Sequence, residues 1–97
     1  MKLLVEFDIS ADIMDVPQRV IDDRECLRKQ FIKWLFSPNV KPKYTVIHNG
    51  YRCVCYRSEA FAAFLNEKIL RGSTEKAVVL EQYVSIKNTE NLPSMLL

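Results

Sequence analysis

Hydrophobic and polar residues alternate from the start of the chain, with Leu3, Val5, Phe7 and Ile9 on one side of an extended segment and Lys2, Leu4, Glu6 and Asp8 on the other. A period of two marks a strand with one buried face, and it predicts a first strand over residues 2 to 9. Residues 10 to 15 read as loop, and Asp15-Val16-Pro17 then supplies a capping carboxylate and a proline where a first helical turn tolerates one. In the helix that follows, Val16, Val20, Leu27, Phe31, Trp34 and Leu35 gather within about a third of the circumference at ~100° per residue. That stripe should pack on a sheet, and Ser37-Pro38-Asn39 should end the helix. Arg24 lies inside the stripe, where an unpaired charge is costly to bury, so its guanidinium must escape along its stem or meet a carboxylate. Ile21, Ile32 and Phe36 fall on a second side of the helix.

The strongest local signal is Asn49-Gly50 between two runs of strand formers, because a two-residue type I′ turn needs positive φ at both positions. It predicts a hairpin over residues 43 to 57. The turn sets the register: His48 opposite Tyr51, Val46 opposite Cys53 and Tyr44 opposite Cys55 on one face, with Ile47 opposite Arg52, Thr45 opposite Val54 and Lys43 opposite Tyr56 on the other. The first set is the more apolar and is expected to face inward. Ser58 should cap a second helix that buries Phe61, Phe64, Leu65 and Ile69 and stops at Gly72. Val78, Leu80, Val84 and Ile86 then alternate with Val79, Glu81, Tyr83 and Ser85 in a last strand, with Gln82 the one polar residue on its inner face.

Strand, helix, strand, strand, helix, strand folds most simply into an α+β, ferredoxin-like βαββαβ sandwich, one four-stranded antiparallel sheet with two helices on one face. The domain should span residues 1 to 87, followed by an apolar tail over 88 to 97. Leu4, Glu6, Ile47, Arg52, Val54, Tyr56, Val79, Glu81 and Tyr83 would then line the open face of the sheet. A terminus running Leu92-Pro-Ser-Met95-Leu96-Leu97 should not hang free in water, and is expected to cover its own sheet or another chain.

Composition narrows the function classes. Ninety-seven residues, 48% of them hydrophobic and 27% charged, suit one folded domain. No apolar run approaches the ~20 residues of a membrane span, and the first residues meet Glu6 too soon for a secretory leader, so no membrane partner is expected. Three cysteines without a leader suggest free thiols and a cytoplasmic location. Fourteen basic residues against twelve acidic ones exert little pull on nucleic acid. Arg24, Arg28, Lys29 and Lys33, with Lys41 and Lys43 beyond them, are interspersed with Asp22, Asp23 and Glu25 and read as a solvated helix face. His48 is the sole histidine, which leaves no Ser/His/Asp triad with a local signature. Cys26, Cys53, Cys55 and His48 make a tempting zinc set, but the hairpin register puts Cys55 ~13 Å from His48 along the strand, too far for shared ligation. Neither metal nor cofactor is expected, and the two glycines already serve a turn and a helix end.

Two stretches resemble known families of this fold. Asn49-Gly-Tyr-Arg-Cys-Val-Cys-Tyr56 resembles the third-strand signature of the RNA recognition motif, sharing Gly50, Tyr51, Val54 and Tyr56. The resemblance implies nucleic-acid binding with stacking positions at Tyr51 and Cys53, where the second aromatic is missing. Val5-Glu-Phe-Asp8-Ile-Ser10 is similar to the first-strand ending of the small CRISPR-associated ferredoxin-fold dimers of the adaptation complex. There the aspartate can bind a divalent metal for phosphodiester cleavage, a role that would carry over to Asp8, although the basic start of that family's first helix is absent.

Set against these, the residues favour a small cytoplasmic, non-enzymatic protein-interaction or regulatory module whose partner is another protein or a second copy in a homodimer. The expected contacts are Leu4, Ile47, Val54, Tyr56 and Tyr83 on the sheet and Leu92, Met95, Leu96 and Leu97 in the tail.

Overall fold

The alternation at the start of the chain forms a strand, but a shorter one: β1 spans Lys2–Glu6, and the chain reverses through a turn in which the Phe7 amide bonds to the Ser10 carbonyl at 2.8 Å. A second strand, β2, follows at Ala11–Asp15 and pairs antiparallel with β1, Leu4 opposite Ile13. This stretch was expected to be loop, because Asp12 and Asp15 break any apolar alternation. It is a strand because Ala11, Asp12, Ile13 and Met14 are all buried, with the Asp12 carboxylate satisfied by partners distant in sequence. The computed structural model describes residues 1–85 and 91–97, so Ile86 and the start of the expected tail lie outside the described residues.

The first helical region is split. Helix α1 covers Gln18–Asp22 and α2 covers Arg24–Leu35, with Asp23 as the break between them. Arg24 solves its burial problem without a carboxylate: its guanidinium donates to the Ile21 carbonyl at 2.7 Å, at the end of α1, and to the Ser94 carbonyl at 3.0 Å. Asp15, the expected cap, instead holds the terminal ammonium of Met1 at 2.8 Å. Val16, Val20, Leu27, Phe31 and Leu35 are buried as the stripe predicts, and Ile21 is buried with them. A single turn, α3 at Lys41–Tyr44, leads into β3 at Thr45–His48 and β4 at Tyr51–Val54. The predicted register holds, His48 opposite Tyr51 through Thr45 opposite Val54, around a turn with φ of 52° at Asn49 and 82° at Gly50. Helix α4 spans Ser58–Phe64 and runs into a π-helical turn at Leu65–Ile69. The Asn66 side chain there pairs with both backbone groups of Ala77, at 2.8 and 3.0 Å, and so leads the chain into β5 at Val78–Val84. The last strand, β6, is Ser94–Leu96.

The fold is α+β, but its main sheet is mixed. The strand order is β5-β2-β1-β6, with β6 parallel to β1 and the other pairs antiparallel, while β3 and β4 form a separate two-stranded ribbon. The expected antiparallel ferredoxin-like sheet needs the hairpin beside β1, and both edges of β1 are already taken by β2 and by the C-terminal strand. The tail therefore covers its own chain: the Leu4 amide bonds to the Pro93 carbonyl at 2.9 Å, the Leu97 amide to the Glu6 carbonyl at 3.0 Å, and Met95 enters the core.

Phe31 sits at the centre of that core, 5.4 Å from Phe61, 5.5 Å from Tyr56 and 5.8 Å from Phe64 between ring centroids. Leu3, Val5, Met14 and Met95 close it from the sheet side. The opposite face of the sheet carries a smaller cluster in which Leu4, Ala11 and Ile13 are buried beneath Val84 and Leu92. Burying each large apolar side chain stabilises the fold by roughly 1.5–3 kcal/mol, which is why the central strands are lined with them on both sides.

Candidate functional site

Two places concentrate polar chemistry or exposed apolar surface. The first is a buried ion pair at the junction of β2, β5 and α4. Asp12 has no exposed surface, and Arg57 donates to it through Nη2 at 2.6 Å and Nε at 3.2 Å. The Ser58 hydroxyl and amide both donate to its other oxygen, and the Tyr83 amide donates to the first at 3.1 Å. Arg57 also reaches the Ser10 hydroxyl at 3.1 Å and lies between two rings, 4.3 Å from the Phe7 centroid and 3.8 Å from that of Tyr83. Such stacking suits a guanidinium, whose faces are weakly hydrated.

The local backbone explains this convergence. The pairing of β2 with β5 slips between Ala11 and Ile13, and Tyr83 takes a φ of 59°, in the left-handed region that costs a residue with a Cβ about 1–2 kcal/mol. The bulge frees the Tyr83 amide, which Asp12 accepts. Ser58 was expected to cap α4 with its own hydroxyl; the cap comes instead from Asp12, across the chain, so the carboxylate also satisfies a first-turn amide. Burial alone would push the Asp12 carboxyl up, but the bonds from Arg57, the Ser58 hydroxyl and the amides of Tyr83 and Ser58 outweigh it and hold the group below its ordinary range. Asp12 in turn holds Arg57 above its usual value against the opposing effect of burial. A carboxylate so fully occupied is an anchor and a poor proton acceptor.

The second place is the ribbon. It attaches to the body through Tyr44, Val54 and Tyr56, which pack against the core, with the Tyr44 and Trp34 rings 6.2 Å apart. Towards the turn both faces are exposed: Ile47 is 74% and Tyr51 75% accessible, and Val46 46%. One face, formed by Thr45, Ile47, Arg52 and Val54, looks across an open groove of about 720 Å³ at Phe36, Lys41 and Pro42. Among the described residues Lys41 and Arg52 are the only charged ones lining it, and the Lys41 ammonium lies 5.7 Å from the centroid of the half-exposed Phe36 ring. The Thr45 hydroxyl bonds to the Lys41 carbonyl at 2.7 Å and fixes the floor of the groove.

The expected contact residues are therefore dispersed. Leu4 is buried under Leu92, and Met95 faces the main core with Leu97 packed against it; Leu96 is exposed at the sheet edge. Tyr83 is exposed on the Arg57 guanidinium, and Tyr56 lies against Phe31. Of the expected contacts, Ile47 and Val54 line the groove side of the ribbon together. The expected inside and outside of the ribbon hold in part: Ile47 and Arg52, placed outside, are exposed as expected. Val54 and Tyr56, placed outside, pack inward, while Val46 and Cys55, placed inside, are exposed; Tyr44 packs inward as expected. The reason is positional: the ribbon leans on Phe31 and Trp34 at its base instead of lying in the sheet. Gln82, expected inside, is exposed and donates to Glu59 at 3.0 Å.

Asp8 is exposed in the β1–β2 turn, and no group of three His, Cys, Asp or Glu side chains able to hold a metal occurs among the described residues. Tyr51 and Cys53 occupy the ribbon face away from the groove. Among the described residues no helix is long and apolar enough to cross a membrane. Phe36, Lys41 and Arg52 were visible in the sequence as an off-stripe aromatic and scattered cations; nothing local could show that one groove gathers them. The chain matches no family model, no curated protein and no solved structure.

Proposed function

We propose that this chain is a small protein-interaction module that acts by binding rather than catalysis, and that its contact surface is the β3–β4 ribbon with the groove beside it. The supporting observation is the exposed apolar surface of Ile47, Val46 and Tyr51 on a ribbon of four-residue strands. A two-stranded ribbon is marginal by itself in water, and side chains of this kind usually find cover in a partner. Strands β1 and β6, by contrast, are engaged with each other through their backbones, with Leu4 and Met95 buried. A random peptide-display selection against the folded protein, counter-selected with Ile47→Asp, tests the reading. Enriched peptides that lose binding to Ile47→Asp support it, and failure to enrich any, with light scattering showing no self-association, removes it.

A further inference from the structure

We infer that the groove takes a short acidic segment with an apolar anchor, a partner chain in which one or two large hydrophobic side chains are flanked by aspartate or glutamate. This rests on the interaction reading above and deepens it. Ile47, Val54 and Phe36 supply apolar lining, Lys41 and Arg52 line the same groove, and no acidic residue does so among the described residues. An anchor in the groove would be desolvated there, while flanking carboxylates would meet the two cations at the rim. The size fits a short segment: about 720 Å³ falls within the range of pockets that hold a few side chains, well short of a whole protein interface.

The same geometry disfavours a nucleic-acid strand as the occupant. Sequence-tolerant single-strand binding combines a basic track with aromatic faces on which successive bases stack. Here the groove offers a single ring, Phe36, already faced by Lys41, and Tyr51 projects from the other side of the ribbon.

The test uses the full chain and three fluorescein-labelled decapeptides sharing one Leu-Phe centre, flanked by glutamates, by lysines or by serines. Anisotropy titrations at low salt should show the glutamate peptide binding roughly tenfold more tightly than the serine peptide, with the lysine peptide weakest and the glutamate advantage shrinking as salt rises. The Lys41→Glu/Arg52→Glu variant, checked for folding by circular dichroism, should reverse the order and prefer the lysine peptide. All three peptides binding alike, with loss in Ile47→Asp, would overturn the charge assignment and leave the interaction reading intact. No binding by any of them, while display selection still returns Ile47-dependent peptides of other character, would overturn it equally. Binding of a labelled single-stranded RNA dodecamer in competition with the glutamate peptide, lost in Lys41→Glu, would replace it with a nucleic-acid site. Empty selection and empty titrations together would remove the interaction reading as well.

Discussion

The body of the molecule and its ribbon use similar residues to opposite ends. In the body, Leu4, Met95 and even Asp12 are out of solvent, each closed over by a segment distant in sequence: Leu92 over Leu4, the sheet and helices over Met95, Arg57 and Ser58 over Asp12. In the ribbon, Ile47 is just as hydrophobic as Leu4 and Met95 yet stays in water beside Tyr51, because only the base of the hairpin leans on Phe31 and Trp34. The lesson is that burial in this chain follows the strands that flank β1, and that the C-terminal strand completes the body without help from the hairpin. The end of the ribbon near its turn, which the rest of the fold leaves uncovered, can be spared for contact.

Substitutions in the two regions should therefore separate widely in cost. Asp12→Ala leaves Arg57 largely enclosed without its counter-charge and removes the cap of α4, so a loss of about 3 kcal/mol or more is expected in chemical denaturation; an unchanged midpoint would mean the junction is idle. The same group sets an acid limit. Because the folded carboxyl sits below its ordinary value of 3.8, its contribution is present above that value and is lost as pH falls through the lower, folded one. Thermal midpoints of the wild type should drop in that acid range, and the Asp12→Asn variant should lack this part of the drop. Met95→Ala, which opens a cavity beneath β6, should cost about 2–5 kcal/mol, and a near-zero value would show that the tail merely rests on the sheet.

Changes in the ribbon should cost less. Gly50→Ala places a Cβ at a φ of 82° in open space, so only backbone strain of about 1 kcal/mol is expected, read from the same denaturation curves. Ile47→Asp should shift stability by no more than about 0.5 kcal/mol while abolishing selected-peptide binding. A large destabilisation there would erase the contrast between the two regions.

What could be read in the sequence divides along the same line. The hairpin register was legible because Asn49 and Gly50 act locally, and the helix stripe from Val16 to Leu35 because a period of 3.6 is also local. Strand β2 was hidden by Asp12, whose place in a buried strand makes sense only once Arg57, Ser58 and Tyr83 are beside it. The parallel pairing of β6 with β1 joins the two ends of the chain and leaves no periodic trace in three residues. That pairing displaced the hairpin from the sheet, and with it went the expected antiparallel order, the orientation of Val54 and Tyr56, and most of the expected contact surface. The groove was beyond reach for the same reason: Phe36 and Ile47 meet across it only because the ribbon folds against the end of α2.

Amide hydrogen exchange followed residue by residue on the free chain, then with a display-selected peptide, bears most directly on the division between body and ribbon. The amides of Leu4, Val5 and Met14 should exchange only through global unfolding, those of Ile47 and Arg52 orders of magnitude faster, and the peptide should slow the second group preferentially. Ribbon amides as slow as those of β1 in the free chain, or peptide protection centred on β5 and β6, would contradict it.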